Sequence, residues 1–599
     1  MRSPARVLNS LTKHSQTTEY RFERLYRILF NEEMYYLAYQ RIYAKPGNMT
    51  QGADGETIDR MSLPRIEKLI ASLKDESYSP QPSRRMHIPK KNGKTRPLGV
   101  PSFDDKLVQE VVRMVLEAIY EGHFEDTSHG FRPHRSCHTA LNAVQKTFTG
   151  KKWFIEGDIK GFFDNVNHDI LIDILKERIS DERFIRLIRK FLRAGYLEQW
   201  RFHGTYSGMP QGGIISPVLA NIYLDKLDKY MKEYATGFDR GNRVRACREY
   251  ETLTYQKRLV MRELKTATND VERKVLVNRL KEIDKTRSAM PCFDPMDGNF
   301  KRLKYVRYAD DFLIGIIVSK VKIKDDIKRF LADRLALELS DEKTLVTHTE
   351  KPAKFLGYEV TVRRSNLQKR NKRGSLSRVY GNKVRLKVTT EVIKKKLLEL
   401  GVLKFSYHNG HEQWIPKHRS ELINNDDLEI LDSYNAEIRG FYNYYSIANN
   451  ASELNTFHYI MQYSMYKTFA GKYRTTVRRI CQKYKRNGVF TVGYTVKNGK
   501  AKERRLYNEG FKRKRPSYDR LIDRCPNPMP GVSTTSLINR LKAQKCELCG
   551  ATDNLVMHHV RKLGELKGKE NWEKLMIARR RKTMAVCGSC HQKIHHGTF

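Results

Sequence analysis

Two adjacent acids inside an apolar stretch constrain this chain more than any other feature. Asp310 and Asp311 follow Tyr308-Ala309, between Lys304-Tyr305-Val306-Arg307 and Phe312-Leu313-Ile314-Gly315-Ile316. Apolar runs on both sides predict a β-hairpin with the acids at its turn. Adjacent side chains on a strand point to opposite faces, so Asp310 is expected to meet a shared cation squarely and Asp311 to assist from the side. Two carboxylates at an apolar tip repel each other unless a cation lies between them. An ordinary turn with Asp at turn positions is the competing reading.

A second unit adds a third acid. Trp153-Phe154-Ile155-Glu156-Gly157-Asp158 reads as a short strand ending in a carboxylate, followed by Ile159-Lys160-Gly161-Phe162-Phe163-Asp164. Carboxylates at neighbouring strand ends are what a two-metal phosphoryl-transfer site requires. One Mg²⁺ would lower the pKa of an attacking hydroxyl and the other would stabilise leaving pyrophosphate. A helix N-cap is the alternative role for Asp158. Glu156 and Asp164 read as solvated or capping acids.

The charge balance says what such a site works on. Lys and Arg number 113 against 68 Asp and Glu, a formal net charge of +45, which implies a polyanionic partner such as nucleic acid. With 39% hydrophobic residues the chain can build real cores, so it is not a disordered basic tail. No run of 18 apolar residues and no charged-then-apolar leader is seen, so a membrane role is not expected. Residues 361–388 carry ten basic and no acidic side chains, and residues 472–524 carry 18 basic and four acidic ones.

Along the 599 residues, the first 50 read as helical, with Phe22, Leu25, Tyr26, Leu29 and Phe30 at helical spacing. A basic, turn-rich stretch spans 84–101. Short β-type runs alternate with helical patterns from Trp153 to about Tyr358, which predicts an α/β or α+β core. Residues 241–290 read as a charged helical insertion, and helical patterns resume from 391 to about 484. Pro526, Pro528, Pro530 and Gly531 suggest a linker before a small separate module.

That module holds four of the nine cysteines. Cys546-x-x-Cys549 and Cys587-x-x-Cys590 have structural-zinc spacing, while Cys137, Cys247, Cys292, Cys481 and Cys525 stand alone. A module this short buries little core, so Zn²⁺ is expected to hold it together. His558, His559, His591, His595 and His596 crowd the same segment.

The ordered blocks resemble the reverse transcriptase of group II intron-encoded proteins. They are Arg85–Lys90 with Arg96–Pro101, Gly130-Phe131-Arg132-Pro133, Asp158–Asp164, Gly208–Pro217, Tyr308–Asp311, Leu337–Thr344 and Phe355–Tyr358. The resemblance implies an α+β multidomain protein: a right-hand polymerase with a helical thumb, a basic DNA-binding region and a zinc-bound ββα HNH module. Its parts would be an N-terminal extension of the fingers (1–80), fingers and palm (81–360), a maturase or thumb domain (361–480), a DNA-binding region (481–535) and the HNH endonuclease (541–599). Asp158, Asp310 and Asp311 would hold Mg²⁺ with the Ile159 carbonyl. Lys90, Arg96, Phe163 and Gln211 would contact the deoxyribonucleoside triphosphate, with Phe163 screening the sugar 2′ position; core packing is the other role open to that ring.

In the HNH module the resemblance makes His559 the general base of a Mg²⁺-dependent centre and brings His558 and His595 to its divalent ion, with His591 on the metal or on phosphate. The family's middle Asn is not obvious, since Asn571 comes early. Arg439 and Lys467 in the thumb, with Arg363, Arg364, Lys369 and Arg370, would grip intron RNA. Lys512, Arg513, Lys514 and Arg515 would meet the target DNA duplex. The aromatics of 441–445 read as stacking platforms or core. The implied partners are intron RNA, target DNA and nucleotide, a dimer is allowed, and the implied location is the bacterial cytoplasm, at the nucleoid when acting on DNA.

Overall fold

A computed structural model describes residues 3–597 apart from 90–94, 211, 295–296, 318–320, 364–367, 371–373, 375, 379–381, 496–499, 518–536 and 544. Lys90, Gln211, Arg364 and Cys525 therefore lie outside the described residues.

In chain order the first eight strands are β1 (Ser83–Pro89), β2 (Thr95–Val100), β3 (Trp153–Asp158), β4 (Tyr196–Glu198), β5 (Arg201–His203), β6 (Arg302–Tyr308), β7 (Asp311–Ile317) and β8 (Leu345–His348). They form two four-stranded sheets, ordered β2-β1-β4-β5 and β6-β7-β3-β8. Every pairing in the second sheet is antiparallel, so this part is α+β.

The second sheet is buried on both faces, which is why its strands read as continuous apolar runs rather than alternating ones. Leu303, Tyr305, Ile155, Phe312, Ile314 and Ile316 face one core, shared with the N-terminal helices and the helices Phe103–Tyr120, His168–Lys176, Glu182–Arg193 and Ser216–Phe238. Val306, Phe154 and Leu313 alternate to the other face. There they join a second core with Phe148 and the helices Thr390–Glu399, Asp427–Tyr445 and Leu454–Lys472.

The charged stretch near 241–290 folds as two packed helices, Arg248–Thr266 and Asp270–Ala289, with a small core of Val260, Leu276 and Ile283. One segment differs from the helical expectation for 391–484. Strands Leu403–His408 and His411–Pro416 form a hairpin. The basic stretch after Val477 contributes one short helix and then strands Val489–Thr495 and Ala501–Arg505, with Phe490, Val492, Leu506, Tyr507 and Phe511 packed into the second core. It thus shares its hydrophobic core with the preceding helices.

The C-terminal module pairs strands Leu555–His559 and Thr583–Cys587 and ends in helix Gly588–His596. It is not a detached bead. Leu537, Leu541, Met557 and Ala585 belong to the first core, beside Met61, and the Met557 N–H donates to the Met61 carbonyl at 2.8 Å. Among the described residues no helix is long and apolar enough to cross a membrane.

Candidate active sites and nucleic-acid surface

The predicted hairpin is β6–β7, with Tyr308 paired to Asp311 and Ala309-Asp310 as the two-residue loop. Ala309 sits at φ 56°, a left-handed position that a non-glycine residue holds only when its surroundings demand it. Arg307 supplies part of that demand. Its Nη1 donates to the Ala309 carbonyl at 2.9 Å, while Nε and Nη2 hold Asp228 at 2.8 and 2.5 Å. Gly130 supplies the rest: a Cβ there would lie 2.3 Å from the Ala309 nitrogen, so this block needs glycine to press against the turn.

The β3–β7 register sets Asp158 directly opposite Asp311, so Asp311 rather than Asp310 is the cross-strand partner, and Asp310 joins from the loop. Although Asp311 has an open side, burial and the charges of Asp310 and Asp158 push its carboxyl up to about 7. Burial and Asp158 also raise Asp310, against the lowering pull of Arg96 and Lys343. Lys343 Nζ bonds Asp158 Oδ2 at 2.7 Å. Three crowded carboxylates, of which Asp310 and Asp311 have raised proton affinity, fit divalent cations that prefer oxygen ligands. Ile159 bridges to Leu339 through bonds from the Lys160 N–H and to the Asp158 carbonyl, which do not use the Ile159 carbonyl.

Phe162 is buried and Phe163 half-buried, the two rings edge to face at 5.3 Å. The Phe163 carbonyl accepts from the Met209 N–H at 2.6 Å, which ties Met209 to the backbone beside this ring. Gly212, at φ 119°, lies against β2; a Cβ would lie 2.2 Å from the Gly99 carbonyl oxygen. Arg96 is exposed on β2, close enough for its charge to act on Asp310. Met209 and Gly212 thus touch, respectively, the Phe163 backbone and β2, the strand that carries Arg96.

In the C-terminal module, sulfurs of Cys546, Cys549, Cys587 and Cys590 all lie within 4.8 Å of one another. Burial would raise the Cys546 thiol, but backbone N–H groups of Cys549, Cys587 and Leu548 hold it down at about 7. A thiol ready to ionise among three others fits a tetrahedral metal such as zinc.

A second cluster joins His558, His591 and His595 to a residue from the far end of the chain, Asp59. Its Oδ2 accepts from His591 Nε2 at 3.0 Å and His595 Nε2 at 2.9 Å, and its Oδ1 accepts the His559 N–H at 2.8 Å. Burial would raise the Asp59 carboxyl, but His591 and His558 hold it well below the usual carboxylate range. His558 is 3% exposed, and neither ring nitrogen has a hydrogen-bond partner. His559 is also buried: Nε2 meets the Tyr39 hydroxyl at 2.9 Å and Nδ1 the Met557 carbonyl at 3.0 Å. Burial lowers its imidazole to about 4. Asn571 opens helix Asn571–Arg579 and is exposed, while its neighbour Trp572 packs edge-on against His558. Asp59 and Lys343 are the members that motif reading does not assign; for Asp59 no local signal exists.

The basic residues divide by what they already hold. Lys467 Nζ donates to the Pro416 carbonyl at 2.9 Å, and Arg513 Nε to the Ile447 carbonyl at 3.1 Å, so both brace the fold. Lys512, Lys514 and Arg515 are exposed beside Arg513, with Lys514 over the Tyr442 ring. Lys369 and Arg370 are exposed on a small hairpin, Arg363 is half-buried, and Arg439 is exposed with its guanidinium 5.8 Å from the Tyr507 ring. Phe441, Tyr442 and Tyr445 are buried and Tyr444 bonds the Leu356 carbonyl, so these rings are core.

Three family descriptions match the chain: reverse transcriptase (RNA-dependent DNA polymerase) over residues 88–252, type II intron maturase over 382–515, and AI2M/AI1M-like HNH endonuclease over 546–591. The chain is 43% identical over 606 residues to the group II intron-encoded protein LtrA of Lactococcus lactis subsp. cremoris, covering 100% of both. It is 34% identical to the putative COX1/OXI3 intron 1 protein of Saccharomyces cerevisiae, covering 96% of this chain and 69% of that one. Among solved structures, apo telomerase from Candida Tropicalis aligns over 48% of this chain and 56% of that one, at 15% identity and a TM-score of 0.28.

Proposed function

As the chain belongs to the group II intron-encoded proteins, with reverse transcriptase, maturase and HNH endonuclease domains in one polypeptide, we propose how its residues divide the work. The β6-β7-β3-β8 sheet is the palm of a right-hand polymerase, and Asp158, Asp310 and Asp311 hold its Mg²⁺ ions. The observation that carries this reading is the cross-strand pairing of Asp158 with Asp311 beside the Ala309-Asp310 turn. When bound, the ions activate the primer 3′-hydroxyl and neutralise pyrophosphate. The protein's part is to fix three oxygen donors on two rigid strands. Arg307 and Gly130 hold the turn, Lys343 occupies Asp158 until the ions arrive, and Arg96 offers charge to the triphosphate. Phe163 presents its open ring edge beneath the sugar and excludes a 2′-hydroxyl.

The helices from Thr390 to Lys472 form the thumb, which with exposed Arg439, Lys369 and Arg370 binds intron RNA. Lys512, Lys514 and Arg515 contact duplex phosphates. In the HNH module the four cysteines hold Zn²⁺, His558, His591 and His595 hold a divalent ion, and His559 takes the proton from water. The intron RNA reverse-splices into one target strand, the nuclease nicks the other, and the polymerase copies the intron RNA from the 3′-end that the nick leaves.

Replacing Asp310 and Asp311 together by Ala tests the polymerase assignment. Mg²⁺-dependent primer extension on RNA should vanish while protein-assisted intron splicing persists, because splicing chemistry belongs to the RNA. Extension at the wild-type rate would refute the assignment.

A further inference from the structure

The nuclease histidines meet a residue far outside the HNH match at 546–591. Asp59 is 500 residues from His559, on the loop before the helix Leu63–Lys74, yet it receives hydrogen bonds from His591, His595 and the His559 backbone. Its Oδ1 also lies 3.6 Å from His558 Nδ1. One ligand atom from each of Asp59, His558, His591 and His595 falls within 4.8 Å of the others. His558 supplies an independent sign of a missing ligand, since both its ring nitrogens are buried and unbonded. A buried imidazole left in that state is costly, and a cation at the cluster centre is a partner that Nδ1 can reach.

A fourth protein ligand leaves the ion fewer positions for water or a substrate oxygen than three would. A carboxylate is also a fair mimic of a phosphodiester's anionic oxygens. We propose that Asp59 is a fourth protein ligand to the nuclease ion, standing where the scissile phosphate must bind, so that the nuclease docked on the N-terminal helices is a latent form. The proposal rests on the reading that His558, His591 and His595 hold the ion.

The same docking covers the base. The Tyr39 hydroxyl donates to His559 Nε2 at 2.9 Å, since Nδ1 gives its hydrogen to the Met557 carbonyl, and His559 is 4% exposed. The contact is held by more than the site itself. Met557 pairs with Met61 across the strand edge, Lys542 bonds Glu33 at 2.8 Å and stands over the Tyr36 ring, and Leu537 and Leu541 share the N-terminal core. An ion position and a base, both of which a nuclease must present to DNA, are thus closed by one surface. DNA cutting then requires that Asp59 and Tyr39 withdraw, and duplex phosphate competes with Asp59 for the ion.

The test uses the full-length protein with zinc in the cysteine site. Ni²⁺ binding is titrated calorimetrically as the probe of the histidine site, and cleavage of an end-labelled duplex and amide exchange over 555–559 are followed in parallel. Asp59→Ala should weaken Ni²⁺ binding at least tenfold, speed duplex cleavage several-fold and raise exchange in 555–559. Asp59→Asn, which keeps the side chain's size, should act in the same direction if the alanine variant folds poorly. Tyr39→Phe should speed cleavage without changing Ni²⁺ affinity. Unchanged Ni²⁺ affinity in both Asp59 variants would overturn the fourth ligand, and slower or unchanged cleavage would overturn latency. His591→Ala separates the two readings: if it binds Ni²⁺ like the wild type, the histidine assignment has failed rather than the role of Asp59.

Discussion

Removing the positive charge of Arg307 should do more damage than removing any neighbouring apolar side chain, and the reason is local. Arg307 and Asp228 are both 0% exposed, and the guanidinium makes five bonds: two to Asp228 and one each to Ser128 Oγ at 2.8 Å, Asn221 Oδ1 at 3.3 Å and the Ala309 carbonyl. Arg307→Met keeps the length and removes every donor. Asp228 is then left buried with the Tyr305 hydroxyl, 3.0 Å away, as its remaining bond from this network. Breaking a buried pair from one side costs about 3–5 kcal/mol. For a unit of 150–250 residues each kcal/mol moves the midpoint by roughly 2–4 °C, so the transition containing the palm should fall by about 6–20 °C. Primer extension at 25 °C should fall as well, since the Ala309-Asp310 turn loses its anchor. Calorimetric melting of Arg307→Met, Asp228→Leu and the double variant closes the cycle. The double variant should be less destabilised than the sum of the singles, because no lone charge remains. A loss below about 1 kcal/mol in Arg307→Met, or strict additivity, would refute the argument.

Burial and two neighbouring charges raise Asp311 from the usual 3.8 to about 7. The folded state therefore holds a proton that the unfolded chain has released, and this contribution to stability is lost as pH rises from about 4 through about 7. Melting curves without Mg²⁺ should show that fall and with saturating Mg²⁺ should not, because the ion replaces the proton; equal slopes would count against a shared carboxylate site. Phe163→Val should raise ribonucleotide incorporation relative to deoxyribonucleotide, read from matched steady-state pairs, and an unchanged ratio in an active enzyme would make the ring mere packing. Chelating zinc should unfold residues 546–596, seen as lost amide protection there, with primer extension retained; protection unchanged by chelation would mean that the four thiols do not hold the module.

The acids proposed for the polymerase are legible in the sequence because such chemistry leaves a local trace: an acid at a strand end, apolar runs around it and glycines where backbones touch. The register is not local, and it is the pairing of β3 with β7 that sets Asp311 opposite Asp158. The hairpin within 403–416 had a signal in Asn409-Gly410, both at positive φ, which suits a tight turn between strands. The jobs of Lys467 and Arg513 leave no such trace, since a lysine that bonds a buried carbonyl reads the same as one that bonds phosphate. Asp59 is the extreme case. It is an ordinary loop acid until folding carries the C-terminal module onto the N-terminal helices.

The central claim, that this one chain cuts DNA and copies RNA from separate sites, is tested most directly in a single reaction. Ribonucleoprotein is reconstituted from intron RNA and the wild-type, Asp310→Ala/Asp311→Ala or His559→Ala protein, and offered a target duplex labelled differently on each strand. The account predicts that the first variant inserts RNA and nicks the second strand but adds no DNA to the new 3′-end. It predicts that the second inserts RNA but leaves the second strand whole, extending only a duplex supplied already nicked. Second-strand cleavage lost in the Asp310/Asp311 variant, or wild-type cleavage in His559→Ala, would contradict it.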